Sequence, residues 1–188
     1  MYGKTTSTPR GNRGWAQEHV YTDERGGIFV DPKARKAALR GIVYGLYVVG
    51  TKGEQGPNAF AANWLTQVSF EPPRVALAAK KGSRAEGEIA ASGVFSANFL
   101  PTGAKEFAQT FFGPVQVEDG KLGGYPFRTG VTGCPIFEDA VSYIECRVVE
   151  RLDVGDHVLY VGEVVDAGVH REGVETLTLR ETGFSYGG

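Results

Sequence analysis

The chain is 188 residues long, 41% hydrophobic and 22% charged, the balance of a soluble globular protein able to bury one core. Its formal net charge of -2 gives no global attraction for nucleic acid or an anionic membrane, so neither is an expected partner and any anion site has to be local. Cys134 and Cys146 make neither a metal-ligand spacing nor a disulfide framework, no stretch approaches a membrane span, and the N-terminus lacks the apolar core of a secretory signal, so a cytoplasmic protein without a metal is expected.

Residues 1–30 are polar, glycine-rich and of mixed charge, and read as an N-terminal arm anchored by Trp15 and Ile28-Phe29-Val30. Asp31 then caps a short helix whose first position is Pro32, where a missing N–H costs nothing. After Gly41, the β-branched and aromatic run Ile42 to Val49 reads as a strand buried on both faces. Ala59 to Val68 reads as the next strand, broken by Glu71-Pro72-Pro73, and Arg74 to Ala79 resumes the sheet. Ser83-Arg84-Ala85-Glu86 fits a capping box for a helix ending near Gly93, and Val94 to Leu100 alternates as a strand does. Gly103 to Phe112 reads as helix, and Val115 to Cys134, with five glycines and weak periodicity, as a long surface loop or lid. Ala140 to Glu150, Asp156 to Ala167 and Glu175 to Leu179 complete an antiparallel meander. Strands follow strands with only short helices between them, so the expected fold is mainly β, an antiparallel barrel with peripheral helices, over residues 31–180 and followed by a tail at 181–188.

The stretch from Asn58 to Arg84 reads as a cradle for a large phosphorylated ligand. Ala61, Ala62 and Asn63 are short enough for a planar molecule to approach the backbone, Thr66, Gln67 and Ser69 can hydrogen-bond it, and Lys80, Lys81, Ser83 and Arg84 at a helix start can take a phosphate. A flavin mononucleotide has those three parts. The competing reading is a capped surface helix with solvated lysines, in which Glu86 sits too near the anion. Trp64 serves a ring contact and core packing equally well, and His157 is either a strand end or a donor to a cofactor edge. There is no Gly-x-Gly-x-x-Gly fingerprint, so a nicotinamide cofactor would bind without a Rossmann half.

Asn63-Trp64-Leu65-Thr66-Gln67-Val68-Ser69-Phe70-Glu71-Pro72-Pro73, Val75 to Ala79, Lys80 to Arg84, Ser92 to Leu100 and Gly155-Asp156-His157, taken in order, resemble the flavin reductase-like family, from about Ala37 to about Val169. The resemblance implies an FMN-binding split β-barrel, a homodimer with flavin sites near the subunit interface, and NADH or NADPH as co-substrate, with FAD as an alternative flavin. It implies flavin contacts over Asn63, Trp64, Thr66, Gln67, Val68 and Ser69, phosphate contacts from Lys80, Lys81, Ser83 and Arg84, support from Asn98, and a nicotinamide or flavin-edge role for His157. The expected activity is reduction of FMN by NAD(P)H, with electrons passed to a monooxygenase or another acceptor protein. The alternatives are a non-catalytic flavin or haem binding protein or a flavoredoxin-like electron carrier on the same barrel, and a structural module without cofactor.

Overall fold

The structure, a computed structural model, describes residues 28–187 together with the strand Tyr21–Thr22. The chain divides into a unit ending at Gly41 and a unit spanning Ile42–Tyr186. In the first, β1 (Tyr21–Thr22) pairs antiparallel with β2 (Ile28–Phe29), and α1 (Pro32–Leu39) is capped by the Asp31 carboxylate, which accepts the Lys33 N–H at 3.1 Å. The rest of the expected arm, with Trp15 and His19, lies outside the described residues.

The larger unit is built on a seven-stranded antiparallel sheet. Its strands are β3 (Tyr47–Gly53), β4 (Gly56–Ala62), β5 (Leu65–Ser69), β6 (Arg74–Lys80) and β7 (Val94–Phe99), with α2 (Arg84–Ser92) between the last two. After α3 (Lys105–Thr110), a four-stranded sheet is formed by β8 (Val117–Glu118), β9 (Lys121–Leu122), β10 (Tyr125–Thr129) and β11 (Pro135–Phe137). The long hairpin of β12 (Ser142–Asp153) and β13 (His157–Val169) returns to the main sheet, and α4 (Leu179–Thr182) follows.

In the main sheet the strand order is β4-β3-β7-β12-β13-β6-β5. The outermost strands are therefore consecutive in the chain, joined only by Asn63 and Trp64. Two residues span no more than about 11 Å between flanking Cα atoms, so the sheet has to roll until its two edges meet. The Ala78 N–H bonding to the Trp64 carbonyl at 3.0 Å pins this seam. The result is the expected antiparallel barrel, closed at one place by two residues.

Strand alternation sorts the core. On β3, Val48 joins a cluster with Leu100, Phe107, Phe111, Phe137 and Leu177, while Val49 joins one with Leu77, Ile89, Phe95, Cys146 and Tyr160. Ile89 brings α2 into the second cluster, so the helix start is held against β6 and β4. Burial raises the thiol of Cys134 to about 11 and that of Cys146 to about 12. Because the thiolate is the reactive form, neither cysteine should react with iodoacetamide at neutral pH until the protein is unfolded, a result that mass spectrometry of the native and denatured protein checks.

Four segments differ from the sequence expectation. The strand expected from Ile42 begins at Tyr47, with Val43 68% exposed, because Gly45 and Leu46 instead run beside Leu177 and Thr178. Gly45 also passes under the Tyr47 ring, where a Cβ would lie 2.1 Å from the hydroxyl oxygen. The single strand expected over Ala59 to Val68 is two, split at the seam. The expected loop from Val115 to Cys134 is the small sheet, whose hairpins turn at Asp119-Gly120 (φ 50° and 73°) and Gly123-Gly124 (φ 59° and 86°), the two left-handed residues that a type I′ turn demands. Glu175 to Leu179 makes only single bridges from Thr176 to Pro101 and Thr178 to Gly45 before α4 begins.

Candidate functional site

The seam opens into a cleft of about 590 Å³. One wall is β4 and the seam itself, Asn58 to Trp64; a second is the end of β6 with the start of α2, including Lys80, Ser83, Arg84 and Ala85; His157 stands at the start of β13, opposite Lys80 in the strand register. The chain after α4, Phe184 to Tyr186, and the turn from Phe111 to Pro114 complete the enclosure.

The two ends of the cleft differ in chemistry. At the cationic end, Ser83 caps α2 by accepting the Glu86 N–H at 3.2 Å, so the first N–H groups of the helix open toward Ser83 and Arg84. The Arg84 Nε donates to Glu88 at 2.7 Å, which fixes the guanidinium and leaves its terminal nitrogens for another acceptor. Glu88 is itself held by Thr51 and by Asn58 at 2.8 Å; burial opposes its charge, and these three donors outweigh it to leave the carboxyl below its ordinary value. Glu86 is turned away from the cleft, accepting the Tyr160 hydroxyl at 2.6 Å and Arg151 at 3.3 Å. The Tyr160 bond is the main cause that lowers its pKa, so the charge that argued against an anion site is already engaged elsewhere.

At the aromatic end, the Trp64 and His157 rings lie 4.5 Å apart at 44°, and Tyr186 meets Trp64 edge-on at 5.5 Å. His157 is buried, with Nδ1 2.9 Å from the Asp156 carboxylate and Nε2 2.9 Å from the Tyr186 hydroxyl. The bond from His157 holds the Asp156 carboxyl below its ordinary value. Two donors here have no partner among the described residues: the Asn63 side-chain nitrogen and the Trp64 indole nitrogen, both buried. Buried donors are nearly always satisfied, so adjacent orphans in a cleft wall mark where a ligand's acceptors belong. The carbonyl edge of an isoalloxazine ring supplies such acceptors, and the cationic end suits its phosphate.

The remaining candidates sit elsewhere in the chain. Lys81 is paired with Asp153, outside the cleft wall. Thr66 and Gln67 line a second cavity, of about 330 Å³, with Tyr47, Arg74 and Phe99, while Val68 is 52% exposed on the edge strand beside Ser69. Asn98 is fully buried and bonds to the Val48 and Pro135 carbonyls and the Phe137 N–H. Sequence reasoning missed the turn from Phe111 to Pro114 and Phe184 to Tyr186. The last had one readable signal, the Thr178-x-x-Glu181 capping box that precedes them.

Residues 39–188 match the flavin reductase like domain family. The chain belongs to that family. It is 35% identical over 135 residues to a protein of Rhizobium meliloti (strain 1021) named a probable flavin reductase, a match that covers 71% of this chain but only 42% of that protein. It is 33% identical over 135 residues to the reductase subunit HsaB of a flavin-dependent monooxygenase of Mycobacterium tuberculosis (strain CDC 1551 / Oshkosh), covering 72% and 71% of the two chains. Among solved structures, the NADH:FAD oxidoreductase SgcE6 of Streptomyces globisporus C-1027 superposes with a TM-score of 0.68 at 26% identity, covering 80% of this chain and 90% of that one. For a flavin reductase-like protein, the expected antiparallel split barrel is the fold found. Among the described residues, no helix is long and apolar enough to cross a membrane, and no group of three His, Cys, Asp or Glu residues is arranged for a metal.

The segment that closes the cleft hangs on one carboxylate. Glu181 accepts from the Thr102 hydroxyl at 2.7 Å and the Gly103 N–H at 3.0 Å, and closes the capping box with Thr178. These bonds, Thr102 first, lower its pKa from the ordinary 4.5 to about 2. A depressed carboxyl stabilises above its unfolded value and loses that contribution as pH falls through the folded one. The melting temperature of Glu181→Gln should therefore fall below that of the parent at neutral pH, with the gap shrinking from about pH 4.5 and gone by about pH 2.

Proposed function

We propose that the protein is an NAD(P)H-dependent flavin reductase that holds FMN in the seam cleft, with FAD as the alternative flavin. The observation that carries the reading is the pairing in one cleft of orphaned buried donors at an aromatic end with a capped helix start and Arg84 at the other. When bound, the flavin supplies the hydride chemistry: NAD(P)H, one proton and the oxidised flavin give NAD(P)+ and the dihydroflavin. The chain's part is positioning. Asn63 and Trp64 orient the ring edge, the α2 start with Ser83 and Arg84 neutralises the phosphate, Lys80 adds charge at the rim, and His157 addresses the nicotinamide carboxamide or the flavin edge. Asn98 supports this wall from within the core.

The reductase-subunit relative supports an acceptor protein, of monooxygenase type, as the consumer of the reduced flavin. A homodimer belongs to the same reading. The edge strand carries Val68 and, just beyond it, Phe70 at 88% exposure beside the second cavity, an apolar margin suited to a second copy, and a copy seated there would give Thr66, Gln67, Val68 and Ser69 a flavin to meet. Lys81 then contributes to the phosphate end only after leaving Asp153.

The test is anaerobic NAD(P)H oxidation with added FMN, followed by absorbance. Turnover well above that of free flavin supports the reading. A yellow protein without NAD(P)H oxidation points to a non-catalytic flavin carrier, and a colourless protein whose melting temperature ignores FMN rejects the site altogether.

A further inference from the structure

The Tyr186 hydroxyl occupies Nε2 of His157, the ring nitrogen that Asp156 leaves free. A carboxylate can only accept, so the 2.9 Å approach of Asp156 to Nδ1 places a ring proton there; with that tautomer Nε2 is an acceptor, and the Tyr186 O–H fills it, also at 2.9 Å. The ring of Tyr186 stands edge-on to Trp64 at 69°, covering the aromatic end, yet the residue itself is 47% exposed. Its chain is tied down one step earlier, where Phe184 packs on Phe112 at 4.9 Å and its N–H bonds to the Thr182 hydroxyl at 3.1 Å. Beyond Phe184 the polar anchor is the Tyr186 hydroxyl itself.

Resting on the flavin reductase reading, we infer that Tyr186 is a displaceable cap on His157, and that the nicotinamide carboxamide competes with its hydroxyl for Nε2. The carboxamide NH₂ donates as the phenol O–H does, so the exchange conserves the hydrogen bond at His157 and leaves Tyr186 free to turn to water. The cap keeps a buried acceptor satisfied while the site waits, at the cost of weaker nicotinamide binding. Tyr186 is thus a positioning residue that sets nucleotide affinity, and it does not touch the transferred hydride.

Calorimetric titration of the FMN-loaded protein with NAD+ tests this without turnover. Tyr186→Phe keeps the ring and removes the competitor, so the NAD+ Kd should fall by about 2- to 10-fold, the size of one net hydrogen bond. In a His157→Phe background the same change should have no effect. A Kd for Tyr186→Phe that is unchanged or higher overturns the cap. If His157→Phe alone leaves NAD+ affinity unaltered, the nicotinamide is not at His157 and the reading of the site itself fails; if it weakens NAD+ while Tyr186→Phe does not tighten it, only the cap is rejected.

Discussion

Replacing Ser83 and Arg84 together by alanine should weaken FMN binding by about a hundredfold, as read by quenching of flavin fluorescence on titration. Each side chain offers a charge-assisted hydrogen bond to the phosphate, and such bonds contribute about 1.5–3 kcal/mol apiece. Arg84 is about half exposed, with 47% of its side chain accessible, so its share is screened and the lower half of the range applies. A total near 3 kcal/mol, the bottom of the range for two such bonds, corresponds to slightly more than two decades in Kd. The variant also loses the α2 cap, worth about 1 kcal/mol of stability, and the exposed Arg84–Glu88 pair, worth a few tenths. Neither loss should unfold the protein, since Glu88 keeps Thr51 and Asn58. Riboflavin, which lacks the phosphate, should bind parent and variant alike. An FMN Kd within twofold of the parent would remove the phosphate from the α2 start.

Asn98→Ala is expected to do the reverse, lowering stability strongly while leaving flavin affinity in the folded protein within about twofold. Asn98 is fully buried, donates to the Val48 and Pro135 carbonyls at 3.1 and 3.2 Å, and accepts the Phe137 N–H at 2.9 Å, tying the small sheet to β3. Truncation strands that N–H and removes donors from two carbonyls, a penalty of about 2–3 kcal/mol. For a chain of this size, that is a fall of about 5–10 °C in melting temperature. A variant that melts like the parent but binds FMN tenfold more weakly would make Asn98 a cofactor contact instead of a strut.

What the sequence made legible was what short-range chemistry decides. The N-cap Ser83 and the glycine after Ser92 bound α2 within a residue, although the Glu86 carboxylate takes the Gly82 N–H and the Tyr160 hydroxyl and so leaves the expected capping box half formed, and the alternation from Val94 gave β7. The split at Asn63-Trp64 was not legible, because nothing in Ala-Ala-Asn-Trp-Leu-Thr interrupts a strand pattern; closure of the sheet does. That split also undoes any assignment of faces from Asn63 to Ser69, since the alternation restarts on β5 at the opposite edge. The hairpins of the small sheet were signalled by Asp119-Gly120 and Gly123-Gly124, but strands of two residues between them are too short to show a period. Tyr186 carries no local mark at all. Its place follows from the return of the chain past β13.

The two-residue seam also bears on how long the chain survives. Pairing β6 with β13 joins segments far apart in sequence, so the seam closes only after a long loop has been ordered. Asn63, Trp64, Arg84 and His157 line one cleft only in that closed form, and an unrolled sheet has no such cradle to offer. Flavin bound as proposed would draw the equilibrium toward closure, by about 2.7 kcal/mol at a concentration a hundred times Kd. If the cleft holds flavin as proposed, a cell short of it leaves the chain open to proteases for longer, and its abundance should track the flavin supply.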